Sequence, residues 1–259
     1  MIKVAHLNHH FKKTPVIRDL SFEIQEGETL GLVGESGSGK TTLALLLMKL
    51  LSPTSGTILY KDHPLTKEAL RDFQMVFQDP YSSLDPRMTI EEIIKEPLII
   101  YKIKETRVSE LLELVGLDSS FAKRYPHELS GGQRQRVGIA RALAPNPKFL
   151  ICDEPIAALD VSIQAQIINL LKSLQKQLKL TYLFISHDLS IVRYLSDHVA
   201  VLYEGQIVEF GTCDEVYTNP KHSYTIELLS SIPSFSPGLQ TQTRHLTVDK
   251  IFSVTGPRE

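Results

Sequence analysis

Residues 34–42 read Gly34-Glu35-Ser36-Gly37-Ser38-Gly39-Lys40-Thr41-Thr42. The pattern is G-x-x-x-x-G-K-[ST], the loop that cradles phosphates. Its glycines let backbone N–H groups turn inward around a β-phosphate with no side chain in the way. Lys40 can neutralise β- and γ-phosphate oxygens, and Thr41 offers a hydroxyl to a magnesium ion. Just before the loop, Thr29–Val33 is a compact apolar run that reads as a strand. Just after it, Thr41–Leu51 is apolar on nearly every side, as in a helix buried all round. Strand, glycine loop and buried helix make the opening of a P-loop α/β domain.

Two further motifs lie downstream. Lys148-Phe149-Leu150-Ile151-Cys152-Asp153-Glu154 is an apolar strand ending in two carboxylates. Asp153 fits a magnesium ligand, and Glu154 a general base for an attacking water. Two acids capping a strand are the alternative. Leu129-Ser130-Gly131-Gly132-Gln133 precedes Arg134–Ala142, which reads as a helix. It puts backbone N–H groups and a hydroxyl at a helix start, a second anion-binding end. An ordinary helix start is the alternative.

The rest of the chain organises around these motifs. Ile2–His6, Val16–Ile24, Thr57–Tyr60, Gln74–Phe77, Phe149–Cys152, Tyr182–Ile185 and Val199–Tyr203 read as strands. The middle ones are continuously apolar, as in strands covered on both faces. Glu204-Gly205 turns Val199–Tyr203 into Gln206–Phe210, a predicted hairpin. Ile90–Ile100, Arg107–Val115 and Gln133–Leu143 show helical spacing, with no strong strand candidate among them. This predicts a helical subdomain over about 81–145, inserted into an α/β core of about 1–80 and 146–233. Ile163, Ile167, Leu170, Leu171, Leu174 and Leu178 mark the core face of another helix. After Pro233 the Ser-, Thr-, Pro- and Gly-rich residues 234–259 predict a loosely packed tail.

Bulk properties narrow the classes. Lys and Arg total 28 against 30 Asp and Glu, a formal charge of −2, which argues against nucleic acid as a partner. No run reaches the roughly 18–20 apolar residues that span a bilayer, and the N-terminus lacks the apolar core of a signal peptide. A cytoplasmic chain is expected, reaching a membrane only by docking. Cys152 and Cys213 form no CxxC pair, so neither a disulfide framework nor a zinc site is expected. Cys152 reads as a buried small residue.

Together, Gly34–Thr42, Gln78, Leu129–Gln133, Asp153–Glu154, Leu159-Asp160 and His187 resemble the complete motif series of ABC ATPases, over about residues 1–215. The resemblance implies a P-loop NTPase fold with a RecA-like core, an antiparallel β subdomain and an inserted α-helical subdomain. ATP and Mg²⁺ are the implied ligands. The implied assembly is a head-to-tail dimer, with each ATP between the glycine loop of one chain and Ser130–Gln133 of the other. By the same resemblance Phe11 stacks on adenine, although a core Phe is an equal reading. Gln78 reaches Mg²⁺ and the water, and His187 contacts the γ-phosphate. Asp160 touches the partner chain; a simple N-cap before Val161 is compatible with that.

Val76–Thr89, Tyr125-Pro126-His127-Glu128, Ala158–Gln166 and Asn219-Pro220-Lys221-His222-Ser223-Tyr224-Thr225 resemble importers of oligopeptides, dipeptides, nickel and metal chelates. Relatives usually carry Pro where Ser223 stands. Many peptide-importing relatives also continue into a cysteine-bearing extension that this chain lacks. The implied partners are a second ATPase subunit (a different chain or a copy of itself), two transmembrane permease subunits and, indirectly, an extracytoplasmic solute-binding protein. The implied place is the cytoplasmic face of the membrane. DNA-repair relatives carry long coiled coils or zinc modules between the motifs, and kinases or GTPases need neither Leu129–Gln133 nor His187. Exporter ATPases are often fused to membrane spans, and none is found.

Overall fold

A computed structural model describes residues 1–79, 81–104 and 107–231. The predicted tail over 234–259, its boundary Pro233 and Pro80 of the Val76–Thr89 stretch lie outside the described residues. The strands are β1 Ile2–Phe11, β2 Thr14–Ile24, β3 Thr29–Val33, β4 Ser55–Tyr60, β5 His63–Pro64, β6 Phe73–Val76, β7 Phe149–Asp153, β8 Thr181–Ile185, β9 His198–Tyr203 and β10 Gln206–Thr212. The α-helices are α1 Lys40–Leu47, α2 Ile90–Ile100, α3 Val108–Leu114, α4 Gly131–Leu143, α5 Val161–Leu178, α6 Leu189–Leu195, α7 Cys213–Thr218 and α8 Ser223–Ser230. The described residues form two compact units, one of Met1–Leu65 with Thr181 to Ser231, the other within Thr66–Leu180.

In the first unit, β2, β1, β4 and β5 form an antiparallel sheet. Separately, β3 runs parallel to β8 and β9, and β10 returns antiparallel to β9 as the predicted hairpin. Every residue of β3 and β8 is buried. Their continuous apolar sequence follows from that, since neither face meets water. Parallel register fixes what stands at the strand ends. Leu32 pairs with Ile185, so the glycine loop after β3 and His187 after β8 begin at the same level.

In the second unit, β6 and β7 pair in parallel, with Val76 opposite Cys152. No strand occurs between residues 81 and 145 among the described residues; that stretch holds α2, α3 and α4. Thr89 caps α2 in a reciprocal box with Glu92. Helix α5 buries Ile167, Ile168, Leu171 and Leu174, while Ile163, Leu170 and Leu178 are only half-buried.

Several boundaries differ from the sequence reading, and three of the differences have a local cause. Helix α1 stops at Leu47 rather than Leu51, because Lys49 takes a left-handed φ of 52° and Leu50 is exposed. Strand β1 continues to Phe11 rather than ending at His6. Three register shifts along it break the two-residue alternation that sequence patterning relies on. Strand β6 ends at Val76, leaving Phe77 exposed.

Candidate functional site

The glycine loop and His187 belong to the first unit, while Gln78, Asp153, Glu154, Ser130–Gln133 and Asp160 belong to the second. In the loop, Gly34, Gly37 and Gly39 have φ of 154°, 83° and 109°. At Gly34 a Cβ would stand 2.2 Å from the carbonyl oxygen of Leu202, so only glycine lets the chain leave β3 there. Lys40 is buried at the start of α1. Its Nζ donates to the carbonyls of Gly34 at 2.8 Å and Glu35 at 2.7 Å, so the loop wraps its own lysine. Glu35, Ser36, Gly37 and Thr41 are exposed, and Thr42 is half-buried.

Two observations fit this loop to a polyphosphate. A Cβ at Gly37 would meet open space. The Ser38 hydroxyl is buried and has no hydrogen-bond partner among the described residues, which suits a polar group that meets a ligand. His187 is exposed where the chain leaves β8. Its backbone is set by Ser186, whose N–H donates to the Leu32 carbonyl and whose Oγ accepts the Asp188 N–H. Asp188 then caps α6.

In the second unit, Gln78 Nε2 donates to Glu154 Oε2 at 3.3 Å. Glu154 takes a φ of 45°, uncommon for a residue with a side chain, and Asp153 before it is buried at the end of β7. Strained, non-glycine backbone of this kind clusters at functional sites. After Gln78 the chain is tied down residue by residue. Asp79 Oδ1 accepts the Tyr81 N–H, which holds the Asp79 carboxyl below its usual range. Asp85 takes both Nε and NH2 of Arg87, the main cause that holds its carboxyl down at about 2.

Ser130 caps α4, and Gln133 completes a reciprocal box: Ser130 N–H donates to Gln133 Oε1 and Gln133 N–H to Ser130 Oγ. Gly132 is buried, and a Cβ there would stand 2.5 Å from Ile163 Cγ2, while one at Gly131 would stand 3.3 Å from Leu159 Cδ2. These glycines therefore let α4 start tightly against α5. Asp160 occupies the N-cap position of α5, yet its side chain makes no capping bond; only its carbonyl accepts, from Ile163 and Gln164 N–H. The carboxylate of this exposed residue is not spent on the helix. Phe11 ends β1 with 47% of its surface exposed and stands edge-on to His9, which excludes the core reading.

Sequence reasoning missed three supporting side chains. Arg134 lays its guanidinium over the Tyr81 ring at 4.3 Å and donates to the Pro126 carbonyl. Arg141 donates to the Ser83 carbonyl at 2.6 Å. Tyr224 accepts the Glu35 N–H at 2.9 Å. Two arginines on one helix and a tyrosine in a quoted motif are visible in sequence, but all three hydrogen-bond to backbone groups, which leave no sequence signal.

The family described as "ABC transporter" matches residues 17–157. The chain belongs to the ABC transporter family. It is an ATPase cassette of that family. A second family description, "Oligopeptide/dipeptide transporter, C-terminal region", matches residues 208–251. The cassette is 53% identical over 256 residues to the "Oligopeptide transport ATP-binding protein OppF" of Bacillus subtilis (strain 168), covering 92% of this chain and 84% of that relative. It is 47% identical over 276 residues to the "Dipeptide transport ATP-binding protein DppF" of Lactococcus lactis subsp. cremoris (strain MG1363), covering 99% and 88%. Among solved structures, the cassette superposes on cbiO1 from Clostridium perfringens with TM-score 0.74 at 30% identity, covering 84% of this chain and 90% of that one. It superposes with TM-score 0.72 at 30% identity on the ATP-binding cassette MJ0796, described as a dimeric post-hydrolysis state bound to ADP and Pi, covering 82% and 99%.

Proposed function

We propose that this cassette hydrolyses ATP to energise the import of oligopeptides or dipeptides through membrane permease subunits. The observation that carries the ATPase part is the Gln78–Glu154 pair: a carboxylate on a strained strand end, oriented by an amide that donates to it. An ionised carboxylate accepts hydrogen bonds, so an amide N–H is a partner that suits it. The peptide cargo rests on the relatives named for oligopeptides and dipeptides, and on the C-terminal region match; these favour peptides over nickel or metal chelates.

In this reading Gly34–Thr42 wrap the phosphates and Lys40 neutralises them. The N-terminus of α1 adds its positive end. Thr41 in the first unit, and Gln78 and Asp153 in the second, each carry a hard oxygen donor of the type Mg²⁺ takes, and the ion would screen the phosphate charge. Glu154 accepts the proton of the attacking water, and His187 approaches the γ-phosphate. Ser130–Gln133 and Asp160 serve the second chain of a dimer, so closure brings a helix N-terminus to a partner's ATP. Phe11, exposed and aromatic, stacks on adenine. Residues 81–145 act as a helical subdomain of the 1–233 cassette. The exposed Phe77 and Tyr81 beside Gln78 suit contact with a permease subunit. In this reading the cassette works at the cytoplasmic face of the membrane through that contact.

The test is twofold. The purified cassette should hydrolyse ATP, and Lys40→Ala should weaken nucleotide binding; unchanged affinity contradicts the cradle. Ser130→Arg should block ATP-induced dimers. A deletion strain should lose uptake of radiolabelled peptides while nickel uptake persists; the reverse would overturn the cargo.

A further inference from the structure

The Asn219–Thr225 stretch marks the importer likeness but lies outside the ATPase motif series. Its geometry ties it to the phosphate loop. Glu209 of β10 accepts the N–H groups of Lys221 at 2.8 Å and His222 at 3.1 Å. His222 Nδ1 accepts the Tyr224 N–H and caps α8. Tyr224 is thereby held with 6% of its surface exposed, its ring 4.2 Å from that of Tyr203. Burial pushes its phenol above the usual range, so it stays neutral.

From that position the phenol oxygen accepts the Glu35 N–H at 2.9 Å. This N–H and the Gly34 carbonyl belong to one planar peptide group and point in opposite directions. Lys40 Nζ holds the Gly34 carbonyl at 2.8 Å. One rigid plane therefore has Tyr224 on its N–H side and the phosphate-binding lysine on its C=O side. A second tie lies close by: Gly205, two residues after Tyr203, donates its N–H to the Ser38 carbonyl at 3.1 Å.

We propose that Tyr224 is a positioning residue for the phosphate loop, fixing the Gly34–Glu35 peptide plane that holds Lys40, and that the importer-type C-terminal region thereby supports ATP binding. Loss of the hydroxyl frees that plane to turn and spreads the Lys40 ammonium over more than one position. The assignment rests on the ATP-binding reading, which binding of ATP by the unaltered chain tests separately.

The experiment is Tyr224→Phe in the full chain, which keeps the ring on Tyr203. One neutral hydrogen bond corresponds to about a two- to tenfold change in an equilibrium constant. Binding of a fluorescent ATP analogue is expected to weaken about two- to tenfold, with the loss in kcat/KM falling on KM. Tyr101→Phe, which removes contacts to Gln74 and Leu70 instead, should leave ATP affinity unchanged. Equal losses in the two variants, or no loss in Tyr224→Phe, would overturn the proposal. Amide exchange gives a readout that needs no ATP. The Glu35 amide should be protected in the nucleotide-free chain and exchange fast in Tyr224→Phe. Fast exchange in the unaltered chain overturns the proposal even if ATP binds.

Discussion

Gln78 and Glu154 stand two residues beyond Val76 and Cys152, which pair across the parallel strands β6 and β7, and their side chains meet at 3.3 Å. The strand register places them level, and the amide then fixes the carboxylate. Gln78→Glu replaces that donor with a like charge. Like charges repel at this distance, so the Glu154 carboxylate would leave the position that the amide gives it. A displaced group of this kind can cost about a hundredfold in rate. Steady-state ATPase rates check this, and a rate equal to that of the unaltered chain contradicts the pairing.

Arg141 of α4 crosses to the Ser83 carbonyl and so ties the helix behind Ser130 to the segment behind Gln78. Hydrogen bonds from charged groups are worth about 1.5–3 kcal/mol, and removing the donor leaves the carbonyl to water or unpaired. Arg141→Ala should lower stability by about that amount, read from the urea midpoint. A midpoint equal to that of the unaltered chain would show the tie to be idle.

Gly132 leaves no room for a methyl group, since its Cβ would stand 2.5 Å from Ile163 Cγ2. Ile is branched at Cβ and turns with difficulty. Gly132→Ala should push α4 from α5 and cost about 1–3 kcal/mol, again by urea unfolding. Pairing it with Ile163→Ala should restore part of the loss; no restoration would mean that the clash lies elsewhere.

Burial pushes the Cys213 thiol up to about 11 and the Cys152 thiol higher still. At pH 8 only about one Cys213 in a thousand is the reactive thiolate. The native chain should react slowly with a thiol reagent, and both cysteines should react quickly once guanidinium unfolds it. Stoichiometric labelling of the native chain within minutes would contradict their burial.

The local geometry of the candidate site was legible in sequence because its residues sit in short runs at strand and helix ends. Gly34–Thr42, Asp153–Glu154 and Ser130–Gln133 each announce a local geometry, and the continuously apolar β3, β7 and β8 announce their burial. Non-local backbone partnerships stayed hidden. Nothing in the order of residues shows that Tyr224 reaches Glu35, 189 positions away, or that Arg141 reaches Ser83. The same holds for β1, where His6 and Asp19 both take left-handed φ at opposed irregularities of the β1–β2 pair. The inward side chains there run Ile2, Val4, Leu7 and His9, a pattern that alternation rules do not recognise. Asp160 was readable by position, but only the structure shows that its carboxylate caps nothing.

In the proposed function Glu154 is the base that takes the proton of the attacking water. Glu154→Gln removes the base and keeps the shape. A positioned general base contributes about 10²–10⁴ in rate. The purified variant should bind ATP as the unaltered chain does, while steady-state phosphate release falls at least about a hundredfold. Near-normal phosphate release from that variant would contradict the account.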